Sequence, residues 1–390
     1  MLDVVYFTRV PIHRDSDGGV LCCRANLEQL HAEARVHAIV AGPVENEQPT
    51  LDYFRARGMA GHFVRFSDPP FRALKPETQR APFMLEVEAW QQEGVDKAMA
   101  SFVRENLPRC IVVDYLPSAY YLPSLFDLAT PVIVITLNRE GDFCADLAAR
   151  GFSEAGVPLS EESIRRCRAS EDALHQRCSM VVAIGRYDRP PTGRSLWMPP
   201  SLEPRQDRWI YQGRRSLFFV GHRPHFPNRD AIDWIAGRLA PEIAAIDPSI
   251  TIKILGASED EMPSELRRSN LQYLGSGDKA QAADLFRSEA AMLAPIANDY
   301  GAKFKIAEAI SYGTPLLPTA GALSGTAVLP WLPPIDIDQP AQAAAMAVDL
   351  VQSQRAQEQM SEAIRSAAAA FHQHQAGRWK RLLNVVLGEG

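Results

Sequence analysis

The chain has 390 residues, of which 46% are hydrophobic and 23% charged, with a formal net charge of -6. This composition suits ordinary globular domains, and the length allows two of them. The acidic balance gives no electrostatic reason to expect a nucleic-acid partner, and no apolar run is long enough to span a bilayer.

The opening run MLDVVYFTRVP becomes apolar at once and has no basic segment before it, so no cleaved leader is expected. Short apolar runs then alternate with helix-length segments. Strands are expected at 2–7, 36–41, 63–66, 110–113, 131–136 and 180–183. Helices are expected at 20–34, 84–105, 117–129 and 160–178, the last opened by Ser-Glu-Glu. A proline-rich loop through Pro82 precedes the helix at 84–105. The stretch 188–215 holds Pro190, Pro191, Pro199, Pro200 and Pro204 without periodicity and reads as an interdomain linker. A second series follows, with strands at 217–220, 250–255, 272–274, 292–294 and 315–318. Its helices are expected at 229–246, 280–288, 303–312 and 341–352, with a last one near 377–387.

This alternation predicts an α/β fold of two Rossmann-like domains with parallel sheets, 1–195 and 205–370, facing a central cleft. Residues 371–390 are expected to form a C-terminal helix returning to the N-terminal domain. Ligands in such sheets sit beyond the carboxyl ends of the strands. No G-x-G-x-x-G follows the first strand, which argues against a dehydrogenase. Cys22, Cys23, Cys110, Cys144, Cys167 and Cys178 form no CxxC pair and no zinc spacing, as expected of buried thiols in a cytoplasmic protein.

The most informative segment is NDYGAKFKIAEAISYGTPLLPT, which follows a strand and enters a helix near Ala302. A helix start offers unpaired N–H groups and the positive end of the macrodipole. Lys303 and Lys305 add cations where the macrodipole prefers carboxylates, so an anion such as a diphosphate would account for them. From spacing alone, two solvated lysines on a surface helix explain them equally well. Lys303 lies closer to the helix start, and Lys305 is expected to be the more solvated of the two. Asp336-Ile337-Asp338 imitates a metal-binding Asp-x-Asp but sits where an ordinary strand and turn belong, so no metal site is expected there.

The segment from Gly301 through Lys303, Lys305, Glu308 and Gly313 to Pro315 resembles the donor signature of glycosyltransferase family 4, the group 1 glycosyl transferases of GT-B fold. LFFVGHRPHFPNRDAIDWI and LQYLGSGDKAQAADLFRSEAAMLAPI are similar to that family's preceding strand, loop and helix units. SDGGVLCCRANLEQLHA, VIVITLNREGDF and SMVVAIGRYD resemble its N-terminal elements. The resemblance implies that Glu308 binds the ribose hydroxyls of a nucleotide. It also implies a donor site drawn from Gly18, Gly19, His222, Arg223, Gly275, Ser276, Tyr300, Gly301, Lys303 and Lys305. Asn138, Glu140 and His222 are the catalytic candidates.

The chain departs from the family in three places. Tyr300 stands where many members carry a glutamate. Pro227 and Asn228 fall where a diphosphate-clamping lysine is usual, and Leu137-Asn138 replaces His-Asn. The implied activity is metal-independent, cofactor-free, retaining transfer of a sugar from a nucleoside diphosphate sugar to an acceptor hydroxyl. The acceptor would be a glycan, a lipid-linked or a small molecule, in glycan or polysaccharide biosynthesis. The alternatives are a non-catalytic sugar-nucleotide-binding or assembly protein and a sugar-nucleotide epimerase. Arg378, Lys380 and Arg381 on the last helix allow at most peripheral membrane contact.

Overall fold

Five of the first strands are apolar runs with almost no exposed face, a pattern that only a parallel sheet covered on both sides satisfies. The computed structural model describes residues 3–14, 18–66, 93–120, 122–149, 151, 153–154, 157–158, 160–191, 193–200, 203–326 and 328–389. The first compact unit comprises Met1–Pro200, Tyr300–Ala302 and Gly377–Gly390. Its elements run β1 (Asp3–Thr8), α1 (Gly18–Glu33), β2 (Arg35–Gly42), α2 (Glu47–Ala56), β3 (Ala60–Arg65), α3 (Glu93–Asn106), β4 (Cys110–Asp114) and α4 (Leu116–Ala119). They continue with β5 (Val132–Thr136), α5 (Glu140–Ala149), a small β6 (Ser153–Glu154) and β7 (Val157–Pro158) pair, α6 (Glu161–Arg177), β8 (Met180–Ala183) and β9 (Ser195–Trp197). The main sheet has the order β3-β2-β1-β4-β5-β8-β9, with every pairing parallel.

The second unit comprises Ser201–Asp299 and Lys303–Ala376. It contains β10 (Ser216–Val220), α7 (Phe226–Trp234), α8 (Ala240–Ile246), β11 (Thr251–Leu255), β12 (Leu271–Tyr273), α9 (Lys279–Ser288) and β13 (Ala291–Ala294). Then come α10 (Phe304–Tyr312), β14 (Leu316–Pro318), α11 (Ala320–Leu323), α12 (Pro340–Gln352) and α13 (Gln354–Gln375). Its parallel sheet has the order β12-β11-β10-β13-β14. The expected fold class, two Rossmann-like α/β units with parallel sheets, is what the chain adopts. The last helix, α14 (Arg378–Leu387), belongs to the first unit, where Trp379, Leu382 and Leu383 are buried. There Arg378 donates to the carbonyl of Pro199 at 2.8 Å.

Three expectations need correction, and in each a proline is the cause. The segment 117–129 is not one helix. It holds the short α4 and then a 3₁₀ turn at Pro123–Asp127, because Pro123 has no N–H to continue an α-helical ladder. The helix expected over 229–246 is split by a π turn at Ile235–Leu239, where the N–H of Ala240 reaches back to the carbonyl of Ile235. Pro241, next in line, cannot donate to the preceding turn. The proline-rich stretch 188–215 hides β9, which adds to the sheet edge by pairing Ser195 with Val181. Residues 84–92 of the expected long helix lie outside the described residues, as does the loop through Pro82. Among the described residues no helix is long and apolar enough to cross a membrane.

At the amino ends of the second unit's strands, Glu289 is fully buried. It accepts from Arg214 at 2.5 Å, from Lys253 at 2.9 Å and from the hydroxyl of Ser216. Removing one member of such a cluster strands the rest. Glu289→Ala should therefore destabilise the unit by about 3–5 kcal/mol. Urea unfolding checks this, and a midpoint equal to wild type would mean that water replaces the carboxylate at no cost.

Candidate functional site

In the second sheet the strand order reverses between β10 and β13, so the loops leaving those two strands run to opposite faces, which is where open parallel sheets bind their ligands. The loop after β13 leads into α10, whose N-cap residue Lys303 makes no side-chain capping bond. No acidic residue occupies the helix's first turn. Ser, Thr, Asp and Asn are the preferred residues there, as Ser160 of α6 and Asp278 of α9 show, although α7 and α12 also start without a side-chain cap. At its other end α10 stops on Gly313 in the left-handed conformation.

The Lys305 side chain turns back toward the end of β10. Its Nζ lies 2.5 Å from Oδ1 of Asn228 at the start of α7, and 4.4 Å from the centre of the Phe219 ring. A Cβ on Gly221 would stand 2.6 Å from that nitrogen, so the ammonium occupies space that only glycine leaves. Burial, then the neighbouring charge of Lys303, lowers the amine to about 7, while Glu308 opposes the shift. Among the described residues Lys305 has no carboxylate partner in an ion pair. Lys305 is half-buried, so exposure does not rank it above or below its neighbour. Lys303 is half-buried.

Glu308 lies three residues beyond Lys305, on the same helical face. It is half-buried, and burial raises its pKa against the charges of Lys279, Arg205 and Lys305. Its carboxylate accepts no hydrogen bond from the described residues. Beside it, Arg205 stacks 4.4 Å over the Tyr312 ring and pairs with Asp207 at 2.9 Å. The His222 side chain is exposed, and its carbonyl accepts from Asn228 Nδ2 at 3.0 Å. Arg223 is held by Asp233 at 3.1 Å. Gly275 and Ser276 follow β12 in a turn tied by the N–H of Gly256 to the carbonyl of Gly275, at 2.7 Å. Ser276 is exposed. Asp336 accepts from the N–H of Asp338 at 2.9 Å and from Gln339 at 3.1 Å, which makes it a turn-forming residue. Among the described residues no group of three or more His, Cys, Asp or Glu could hold a metal ion.

The remaining candidates lie in the first unit. Gly18 and Gly19 form the first turn of α1, with Gly18 exposed. Asn138 is half-buried, and its side-chain oxygen lies against the Cα of Gly301. Glu140 is only 1% exposed, and burial followed by the charge of Glu171 raises its carboxyl well above the ordinary range. Glu171, also buried, turns both oxygens to the start of α5. They accept from the N–H groups of Glu140 and Gly141 at 2.8 Å each. That helix start is thus filled from within. Asp188 does the same for the adjoining backbone, accepting from Arg139 at 3.1 Å and from Gly301 at 2.7 Å. Tyr300 donates to Asp146 at 2.6 Å and packs edge-on against Phe143.

The second unit thus brings Lys305 and Glu308 together with the loop carrying His222, and the first unit brings Asn138 together with Gly301. Sequence reasoning did not single out Glu171 or Asp188, and it met Asn228 only as a departure from the family, where a lysine is usual. The F-P-N start of α7 was the available signal for Asn228, since an amide one turn into a helix after a glycine loop can face that loop.

No family model matches the chain, and no curated protein matches it. Solved structures do. A sucrose-phosphate synthase from Thermosynechococcus elongatus is 14% identical with a TM-score of 0.67, covering 100% of both chains. TarM from S. aureus, in complex with UDP, is 9% identical with a TM-score of 0.64, over 98% of this chain and 100% of that one. An E. coli trehalose-6-phosphate structure bound with UDP-2-fluoro glucose is 12% identical with a TM-score of 0.62, over 99% and 98%. At these identities the likeness establishes the fold, which is of the GT-B type.

The state of Lys305 has a measurable consequence for stability. Its folded pKa of about 7 lies below the ordinary 10.5, so between those values the unfolded chain binds the proton more tightly. Its destabilising effect is therefore greatest below pH 7 and fades as the pH rises toward 10.5. Lys305→Met should raise stability at pH 6 by roughly 1–4 kcal/mol, the range for replacing buried charge with apolar volume. Denaturant midpoints at pH 6 and pH 9 check this, and a gain that did not shrink at the higher pH would contradict it.

Proposed function

We propose that this chain is a glycosyltransferase that takes a sugar from a nucleoside diphosphate sugar and delivers it to an acceptor hydroxyl, with retention of configuration and without a metal ion. The observation that carries this reading is the Lys305 ammonium, half-buried against Asn228 and the Phe219 ring and, among the described residues, without a carboxylate partner, beside a helix start whose N-cap residue makes no side-chain capping bond. Leaving a cation in such a place is costly unless an anion joins it. A diphosphate would meet two cations and several backbone N–H groups at once, and its charge grows as the sugar departs. Glu308, with no protein donor on its carboxylate, is suited to accept from the two vicinal hydroxyls of a ribose. The diphosphate nucleotides in two of the similar structures support the same ligand class.

A second reading keeps the ligand but not the transfer. It is favoured by Glu140, whose carboxyl is sealed inside the first unit, and by Arg223, which is already neutralised by Asp233. On this reading the chain binds sugar nucleotides without consuming them. Incubation with UDP-, GDP- and ADP-sugars, followed by detection of the released diphosphate, separates the two readings.

Glu308→Ala should weaken binding of both the nucleoside and its diphosphate by roughly 1.5–3 kcal/mol, the value of hydrogen bonds to a charged group. Calorimetry checks this, and an unchanged diphosphate affinity would remove Glu308 from the donor site. Transfer should persist in excess chelator, whereas strict dependence on magnesium or manganese would contradict the metal-free reading.

A further inference from the structure

Lys305 could point in many directions, since its stem has four rotatable carbons and lysine is a flexible point charge. Here one polar group fixes it. Among the described residues the ammonium donates to Asn228 Oδ1 alone, at 2.5 Å. The same amide donates through Nδ2 to the carbonyl of His222 at 3.0 Å. Asn228 is itself buried, and its backbone N–H donates to the carbonyl of His225 at 2.9 Å. Both ends of the side chain are thus used, and the amide cannot rotate without losing a bond.

The choice of an amide matters chemically. A carboxylate at this place would hold the ammonium equally well but cancel its charge. A cation would repel it, and an apolar residue would leave it unheld. An amide oxygen orients the ammonium and leaves the net charge for a ligand. The Phe219 face beneath it favours the charged form without supplying an anion. Gly221 completes the arrangement, since a Cβ there would fall 2.6 Å from both Lys305 Nζ and Asn228 Cγ.

We infer that Asn228, in the space left by Gly221, is the positioning residue that aims the Lys305 ammonium at the donor diphosphate. The inference rests on the nucleoside-diphosphate reading given above. The charged groups acting on the ammonium are Lys303 and Glu308, both from its own segment. Asn228, Gly221 and the Phe219 ring face it from the neighbouring elements and carry no charge. In this setting diphosphate binding draws a proton onto Lys305, and affinity falls as the pH rises above 7.

The test uses the full chain and two variants, Asn228→Ala and Asn228→Asp, with two readouts. The first is the pH titration of the Lys305 amine, followed by NMR of lysine-labelled protein, with the signal assigned from Lys305→Arg. Asn228→Ala should lower its midpoint and Asn228→Asp should raise it. The second is calorimetry with UDP, GDP and ADP against uridine, guanosine and adenosine, at pH 6 and pH 8. Both variants should weaken the diphosphate that wild type prefers by about tenfold at pH 8 and leave its nucleoside unchanged. For Asn228→Ala the loss should narrow at pH 6, where the amine regains its proton. For Asn228→Asp it should not. Opposite shifts in the titration with losses of the same sign in binding are a pattern that simple loosening of the fold does not produce. The inference is overturned if Lys305 titrates alike in all three proteins, or if nucleoside and diphosphate are lost together. If wild type binds none of the diphosphates, the donor reading itself falls and this inference falls with it. If wild type binds and the variants bind equally well, only the role of Asn228 is lost.

Discussion

Strands that are apolar on both faces cannot border water, and this constraint orders everything else in the chain. CIVVD in β4, VIVIT in β5 and AMLA in β13 are buried along their whole length. Each needs helices above and below, each helix needs a crossover, and all crossovers start from the same edge of the sheet. The carboxyl ends of the strands therefore collect the loops, and the reversal of strand order decides which loops part. In the second unit the parting loops are those after β10 and β13. The polar chemistry described above sits on them because the sheet leaves it nowhere else to go.

The second unit also shows two opposite ways of burying a charge. Glu289, at the amino ends of the strands, has two cations and a hydroxyl around it, and its account is closed within the protein. Lys305, at the carboxyl ends, has an amide and an aromatic face. Glu289 leaves water entirely and Lys305 in part, but only the first receives opposite charge in return. The first unit repeats the closed pattern with Glu171 and Asp188, whose carboxylates are used up on backbone N–H groups. Against this background Lys305 differs in having, among the described residues, an amide and a ring but no carboxylate as its partners.

The sheets were legible in the sequence because long-range pairing and local apolar runs agree in a parallel fold. VIVIT could be nothing but a buried strand, and Gly313 marks the end of α10 as its position suggests. What stayed hidden was decided by geometry that one dimension does not carry. β9 is only three residues long and lies among prolines, so its pairing with β8 has no periodic trace. α2 and α5 lack the serine N-cap that marked α6, whereas α13 opens on Ser353 just as α6 opens on Ser160 and its start was passed over. The π turn follows from Pro241, yet a proline in the first turn of a new helix and one that distorts an old helix read alike. Within the site, Lys303 and Lys305 could be named from their place at a helix start and Glu308 from the family resemblance, but the surroundings of each could not. The surroundings of Lys305 depend on Gly221 and Asn228, some eighty residues earlier, and its contact with Asn228 exists only once α7 and α10 are packed in the fold.

The contrast between the helix starts of α5 and α10 reaches into bench practice. Glu171 fills the first with the protein's own carboxylate, so small inorganic anions have nothing to gain there. The second keeps its N–H groups and lysines without a capping side chain, and sulfate or inorganic phosphate carries the same kind of oxygens as a diphosphate. On the donor reading proposed above, such salts would compete with a diphosphate at this helix start, and weak ligands would go unseen behind them. On the same reading, buffers built on bulky organic cations and chloride would leave that helix start to the nucleotide.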